Sequence, residues 1–277
     1  MGFSRTSTSA CISKNSLLVL LLLAGAWAGC GKKNKSSTET TEHAATQADT
    51  TARVGTQPSG NATGPLAGTT DPRLLSPEYL KGLPPTAERD VSIGNAFFQK
   101  GMLDSALAYY RSATRRNPKS TAAWNYEGIT LSRMERLPEA ENAYKKAIEI
   151  DAFYAKTHSN LGNLYLKEKL YDKAIAAFQR ANSIDSTDTV NWLNMGLAYK
   201  QKGDLNGAIV SYRKAADCAP DDAEPWSRLG YIYAEKMLYK AARESWDEAV
   251  ARDSSRTDLL ANLQKLKQYA ESTGTSQ

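Results

Sequence analysis

Histidine is nearly absent from this 277-residue chain, with two copies, and cysteine occurs three times, at 11, 30 and 218. Two histidines exclude a multi-histidine metal centre and leave little imidazole for acid–base chemistry. Three scattered cysteines make neither a disulfide framework nor a zinc ribbon. GxxxxGK, GxGxxG, GxSxG and HExxH patterns are all missing, so no enzyme, cofactor or metal is expected. Charge of one sign is also lacking: 35 Lys+Arg stand against 30 Asp+Glu, a net +5 with no basic stripe, which excludes nucleic acid as the partner. Long apolar runs are missing as well. Leu17–Ala28 falls short of the roughly 20 residues that a spanning helix needs, and 41% hydrophobic against 23% charged residues suits a soluble globular body.

What that short run does fit is a signal segment. Arg5 and Lys14 precede it, and the small residues Ala28-Gly29 end it directly before Cys30. This ending resembles the lipobox of bacterial lipoproteins, with Trp27 where Leu is usual. The resemblance implies that residues 1–29 are removed, that Cys30 carries acyl chains of the palmitate type, and that the protein is exported and lipid-anchored to the cell envelope. Gly31 after the cysteine implies the outer membrane facing the periplasm, if the cell is Gram-negative. Residues 30–86 read as a disordered tether: Thr, Ser, Ala, Gly and Gln dominate up to about Thr70, and Pro72, Pro77, Pro84 and Pro85 follow. Its flexible part would span roughly 35–40 Å.

Beyond the tether the sequence repeats itself. Gly94, Gly128, Gly162, Gly196 and Gly230 recur at a constant step, and so do the alanines Ala106, Ala140, Ala174, Ala208 and Ala242. A second alanine column runs from Ala113 to Ala249. Tyr110, Tyr144, Phe178, Tyr212 and Trp246 form an aromatic column, and Phe97, Leu131, Tyr165, Tyr199 and Tyr233 another of large residues. Each unit holds two amphipathic patterns of period 3.6 separated by a short break such as Lys202-Gly203-Asp204, which predicts an antiparallel pair of helices. Such a unit cannot bury its apolar face alone and must stack on its neighbours. The small glycine and first alanine are expected to face one another, with the aromatics filling space between hairpins.

The period, the columns and Trp124, Trp192 and Trp226 at the fourth position together resemble the tetratricopeptide repeat (TPR) family. Departures are Asp90 and His158 in the Trp column and Glu127 where Leu is usual. The resemblance implies an all-α TPR solenoid, a right-handed superhelix of helix-turn-helix units at 87–120, 121–154, 155–188, 189–222 and 223–256. A capping helix is expected at 257–270, with Leu260 and Leu263 continuing the apolar columns, and a tail at 271–277. Cys218 occupies a column with Ile150 and Ile184 and reads as a buried core thiol. His158 reads as a packing residue.

In this family the first helix of each pair lines a concave groove through positions 2, 5, 6, 9, 12 and 13. Here those positions include Asn95, Tyr126, Arg133, Lys156, Asn160, Asn163, Lys167, Asn194, Lys200, Arg228 and Tyr231. Asparagine both donates and accepts, so it can hold the backbone of an extended peptide. The acids Glu88, Glu224 and Glu235 lie in the first and last repeats, which leaves the middle of the face cationic. Some members grip acidic chaperone tails with a two-carboxylate clamp. Asn163, Asn194 and Arg228 fall on three of its five positions, but Ser159 and Glu224 replace its two lysines, so that activity is not expected.

The expected function is therefore a lipid-anchored scaffold or adaptor that binds an envelope protein or an extended peptide. It resembles repeat lipoproteins that assist outer-membrane protein assembly or assembly of the type IV pilus secretin. The alternative is a carbohydrate- or peptidoglycan-associated envelope protein that uses exposed tyrosines.

Overall fold

The computed structural model describes residues 81, 82 and 84–273. The signal segment, Cys30 and most of the tether lie outside the described residues. Among the described residues eleven helices follow one another without a strand: α1 (Ala87–Gln99), α2 (Leu103–Arg116), α3 (Thr121–Arg133), α4 (Leu137–Ile150), α5 (Ala155–Lys167), α6 (Tyr171–Ile184), α7 (Thr189–Lys202), α8 (Leu205–Cys218), α9 (Ala223–Glu235), α10 (Tyr239–Arg252) and α11 (Thr257–Thr273). They fall into two compact units that divide between Asp204 and Leu205. In the first unit α1 packs on α2, α3 on α4 and α5 on α6, and each second helix packs on the next first helix, ending with α6 on α7. In the second unit the order α8–α9–α10–α11 is also one of sequential neighbours.

Local sequence sets the helix ends. Most first helices open on an oxygen that accepts from the exposed N–H groups of the first turn: Thr86 from Arg89, Ser120 from Ala123, Asp188 from Val190 and Asn191, and Asp222 from Glu224. The second helices α2, α4, α6 and α10 begin at Met102, Arg136, Leu170 and Leu238, none of which caps with its side chain. The turn between paired helices needs one left-handed residue. Gly101 (φ 74°) and Gly203 (φ 89°) supply it without strain, whereas Glu135, Lys169 and Met237 adopt φ near 60° with a full side chain.

Both alanine columns are fully buried. The glycine column, however, does not face alanine. A Cβ on Gly94, Gly128 or Gly162 would stand 2.5–2.7 Å from the ring of Tyr110, Tyr144 or Phe178, and one on Gly230 would strike Trp246. The glycine thus makes room for the aromatic ring of its own hairpin's second helix, and the ring fills the interior of the hairpin as well as meeting the next one, where Tyr110 stacks on Tyr126. Position 24 is a large, rigid apolar payload, and it can sit flat on a helix only where that helix lacks a side chain.

Two further expectations change. In α11 the anchoring residues are Leu259, Asn262 and Leu266, while Leu260 is exposed. The helix is rotated so that its third, sixth and tenth residues face inward. Cys218 is only partly buried, because its column lies at the last residue of the second helix, where Ile150 is exposed too.

Candidate functional site

The first unit carries four first helices, α1, α3, α5 and α7, and they position nine of the expected groove residues. Two asparagine pairs link neighbouring helices there. Asn160 on α5 donates from Nδ2 to Asn125 Oδ1 on α3 at 2.9 Å, and Thr157 donates to the same oxygen at 3.2 Å. Asn194 on α7 donates to Asn163 Oδ1 on α5, also at 2.9 Å. Asn125 and Asn194 are buried, whereas Asn160 and Asn163 stay half-exposed. The buried amides hold the exposed ones in place, and each exposed amide keeps one end for a ligand: the carbonyl of Asn160 and the amino group of Asn163. One acceptor and one donor, three residues apart on a single helix, are the two kinds of group with which a peptide backbone can pair.

Asn95 is engaged differently, accepting from Tyr110 Oη at 2.7 Å. Tyr126 stacks on Tyr110 with ring centroids 5.5 Å apart, and burial pushes its phenol pKa up. Arg133 lies over the Phe98 ring at 4.4 Å. Lys156 is exposed and Lys200 half-exposed on the same helices. Lys167 pairs with Glu135 at 2.6 Å and with the Ser132 carbonyl at 3.2 Å. Glu135 sits in the left-handed turn, outside the positions counted on the helix face. The middle of the face is accordingly less cationic than those positions alone suggest.

In the second unit Arg228 and Tyr231 belong to one polar network. Arg228 pairs with Glu224 at 2.8 Å, Arg256 reaches Glu224, Asp258 and Ser227, and Tyr231 donates to Asp258 at 3.1 Å while accepting from Asn262. Arg228 is thus committed to an internal carboxylate.

The Trp column has a positional task that composition does not reveal. Trp124 donates to the Pro118 carbonyl and Trp192 to the Ser186 carbonyl, each at 2.9 Å and each six residues back. His158 Nε2 meets the Ala152 carbonyl at 3.0 Å over the same offset. An indole and an imidazole are interchangeable here because each extends a ring nitrogen to the loop that joins two repeats. His158 is therefore buried and structural. Trp226 departs from the pattern: its Nε1 has no partner, since Arg252 takes the Pro220 carbonyl and stacks on the Trp226 ring at 4.9 Å. Asp90, the other departure, is buried under Ser112 (2.6 Å) and Arg116 (2.9 Å). Glu127 is buried with Arg111 at 3.1 Å. These acids hold helix pairs together, and among the described residues no cluster of His, Cys, Asp and Glu could hold a metal ion.

Comparison with known proteins agrees with this architecture. Family models described as tetratricopeptide repeat match residues 91–155 and 155–188, and one described as TPR repeat matches 196–236. The Hsp70-Hsp90 organizing protein of Triticum aestivum is 27% identical over 92 residues, covering 33% of this chain and 16% of the relative. The chain thus spans less than a fifth of that relative's length. Among solved structures, MamA from Desulfovibrio magneticus RS-1 is similar with a TM-score of 0.56, at 21% identity over 61% of this chain and 96% of the other. Pseudomonas aeruginosa pilF reaches 0.59 at 18% identity, over 69% and 86%. These likenesses show the fold. Over residues 91–188 and 196–236 the chain is built of tetratricopeptide repeats.

Proposed function

We propose that the chain is a lipid-anchored scaffold that binds an envelope protein, through an extended segment, on the face formed by the first helices α1, α3, α5 and α7. The observation that carries the reading is the pair of half-exposed amides Asn160 and Asn163, fixed respectively by the buried Asn125 of the preceding first helix and the buried Asn194 of the next. Preorganised amides lose little entropy when a peptide backbone docks on them. The anchor half of the proposal rests on the lipobox-like end at Ala28-Gly29-Cys30. Assembly of outer-membrane, secretion or pilus components is the class of task that suits a tethered adaptor of this kind.

The two halves are tested separately. Cys30→Ser should leave the protein unprocessed or release it from the membrane fraction; unchanged acyl labelling sinks the anchor. Affinity purification of the native chain, with its partners identified, is then repeated on Asn163→Ala/Lys167→Ala. Capture should fall while helicity is retained, and unaltered capture places the binding face elsewhere. Pull-down of the chain by purified cell-wall sacculi, with no protein partner, would overturn the reading in favour of a wall-associated protein.

A further inference from the structure

The second unit holds a carboxylate already seated between two arginines. Glu224 stands at the second position of α9 and Arg228 at the sixth, on the face that in the first unit carries the asparagine pairs. Arg228 reaches Glu224 Oε1 at 2.8 Å, and Arg256, from the loop before α11, donates to Oε2 at 3.3 Å. One guanidinium thus serves each oxygen, which is how proteins hold the carboxylate of a ligand. Arg256 is braced besides by both oxygens of Asp258 and by Ser227 Oγ, all within 3.2 Å. All four charged side chains are half-buried, so the cluster is screened less than a surface pair would be.

We infer that Glu224 is an internal counter-ion that fills a two-arginine carboxylate subsite, so that the face of the last repeat rejects acidic segments and accepts only an uncharged stretch of partner. A partner carboxylate can reach the arginines only by displacing Glu224, which is covalently held beside them and so competes at high effective concentration. The displaced carboxylate would then repel the incoming one. Glu224 is in this sense a specificity-determining residue, and removing it converts the surface into an anion site. The inference rests on reading the first-helix face as the binding face, but its test needs no native partner.

The probe is a fluorescent hexaglutamate peptide, titrated by anisotropy against the full chain, the Glu224→Ala variant and the Glu224→Ala/Arg228→Ala double variant. Glu224→Ala should bind at least tenfold more tightly than the parent. That gain should shrink as salt rises and vanish when Arg228 is also removed. Equal binding by parent and Glu224→Ala overturns the inference, as does a gain that persists without Arg228. Should Glu224→Ala lose helicity, the near-isosteric Glu224→Gln carries the measurement. Failure here would leave capture through Asn163 and Lys167 untouched, so failure of this inference is distinguishable from failure of the binding-face reading.

Discussion

Replacing Gly162 by alanine tests the packing that closes each hairpin. The added Cβ would stand 2.7 Å from Phe178 Cε1 and 2.9 Å from Cδ1 and Cζ, where ordinary carbon contacts lie at about 3.5–4.0 Å. The ring must therefore retreat by about 1 Å, and it has nowhere to go, because Phe178 is fully buried. Overpacking of this kind costs about 1–3 kcal/mol, and the better helix propensity of alanine offsets about 1 kcal/mol. The net loss of ~1 kcal/mol should lower Tm by about 2–4 °C in a chain of this size. Gly230→Ala meets Trp246 more closely still, so the same arithmetic gives ~2 kcal/mol and about 4–8 °C. Thermal unfolding followed by far-ultraviolet circular dichroism reads both. Combining Gly162→Ala with Phe178→Leu should cost less than the sum of the single changes, since the shorter side chain vacates the contact. An unchanged or raised Tm for Gly162→Ala, or strict additivity with Phe178→Leu, would refute the reasoning.

Two other perturbations follow from the same units. Leu238 is exposed at the start of α10 and caps nothing, so Leu238→Asp should add about 1 kcal/mol and raise Tm by about 2–4 °C; a fall would show that Leu238 is held by contacts of its own. High pH should unfold the protein in proportion to its buried phenols. Burial pushes the pKa of Tyr110 and Tyr144 far up, and burial with the Glu141 carboxylate beside it pushes Tyr165 up to about 12. The neutral phenol is favoured in the folded state, so this stability is complete below the unfolded value of about 10 and drains away as pH rises past it, through about 12 for Tyr165. Urea midpoints across that window report the loss, and Tyr165→Phe should flatten part of it; a midpoint constant above pH 10 contradicts the assignment.

The repeat period, the helix pairs and the fully buried alanine columns were legible in the sequence because each follows from a small side chain recurring at fixed spacing, and spacing survives translation into structure. Which residue a glycine makes room for was not legible. Gly94 and Ala106 share the property of being small, and sequence alone cannot tell a small residue that meets another from one that yields to a ring. Asn160 and Asn163 could be placed on the right helix face by period, but their partners Asn125 and Asn194 lie one repeat away, and an inter-repeat hydrogen bond leaves no local trace. The same is true of charge. Counting the face positions of the middle repeats yields cations alone, yet Lys167 meets Glu135, whose place in a left-handed turn brings an acid to the edge of the face from outside the counted positions. In the last repeat Glu224 was visible as an acid on the face, but not the convergence of Arg228 and Arg256 upon it. Arg256 belongs to the loop before the next helix, so the polarity of a repeat's face is completed by the loop that follows it. A groove's charge is therefore a property of adjacent repeats taken in pairs, and the chemistry that a partner meets cannot be summed from first-helix positions one repeat at a time.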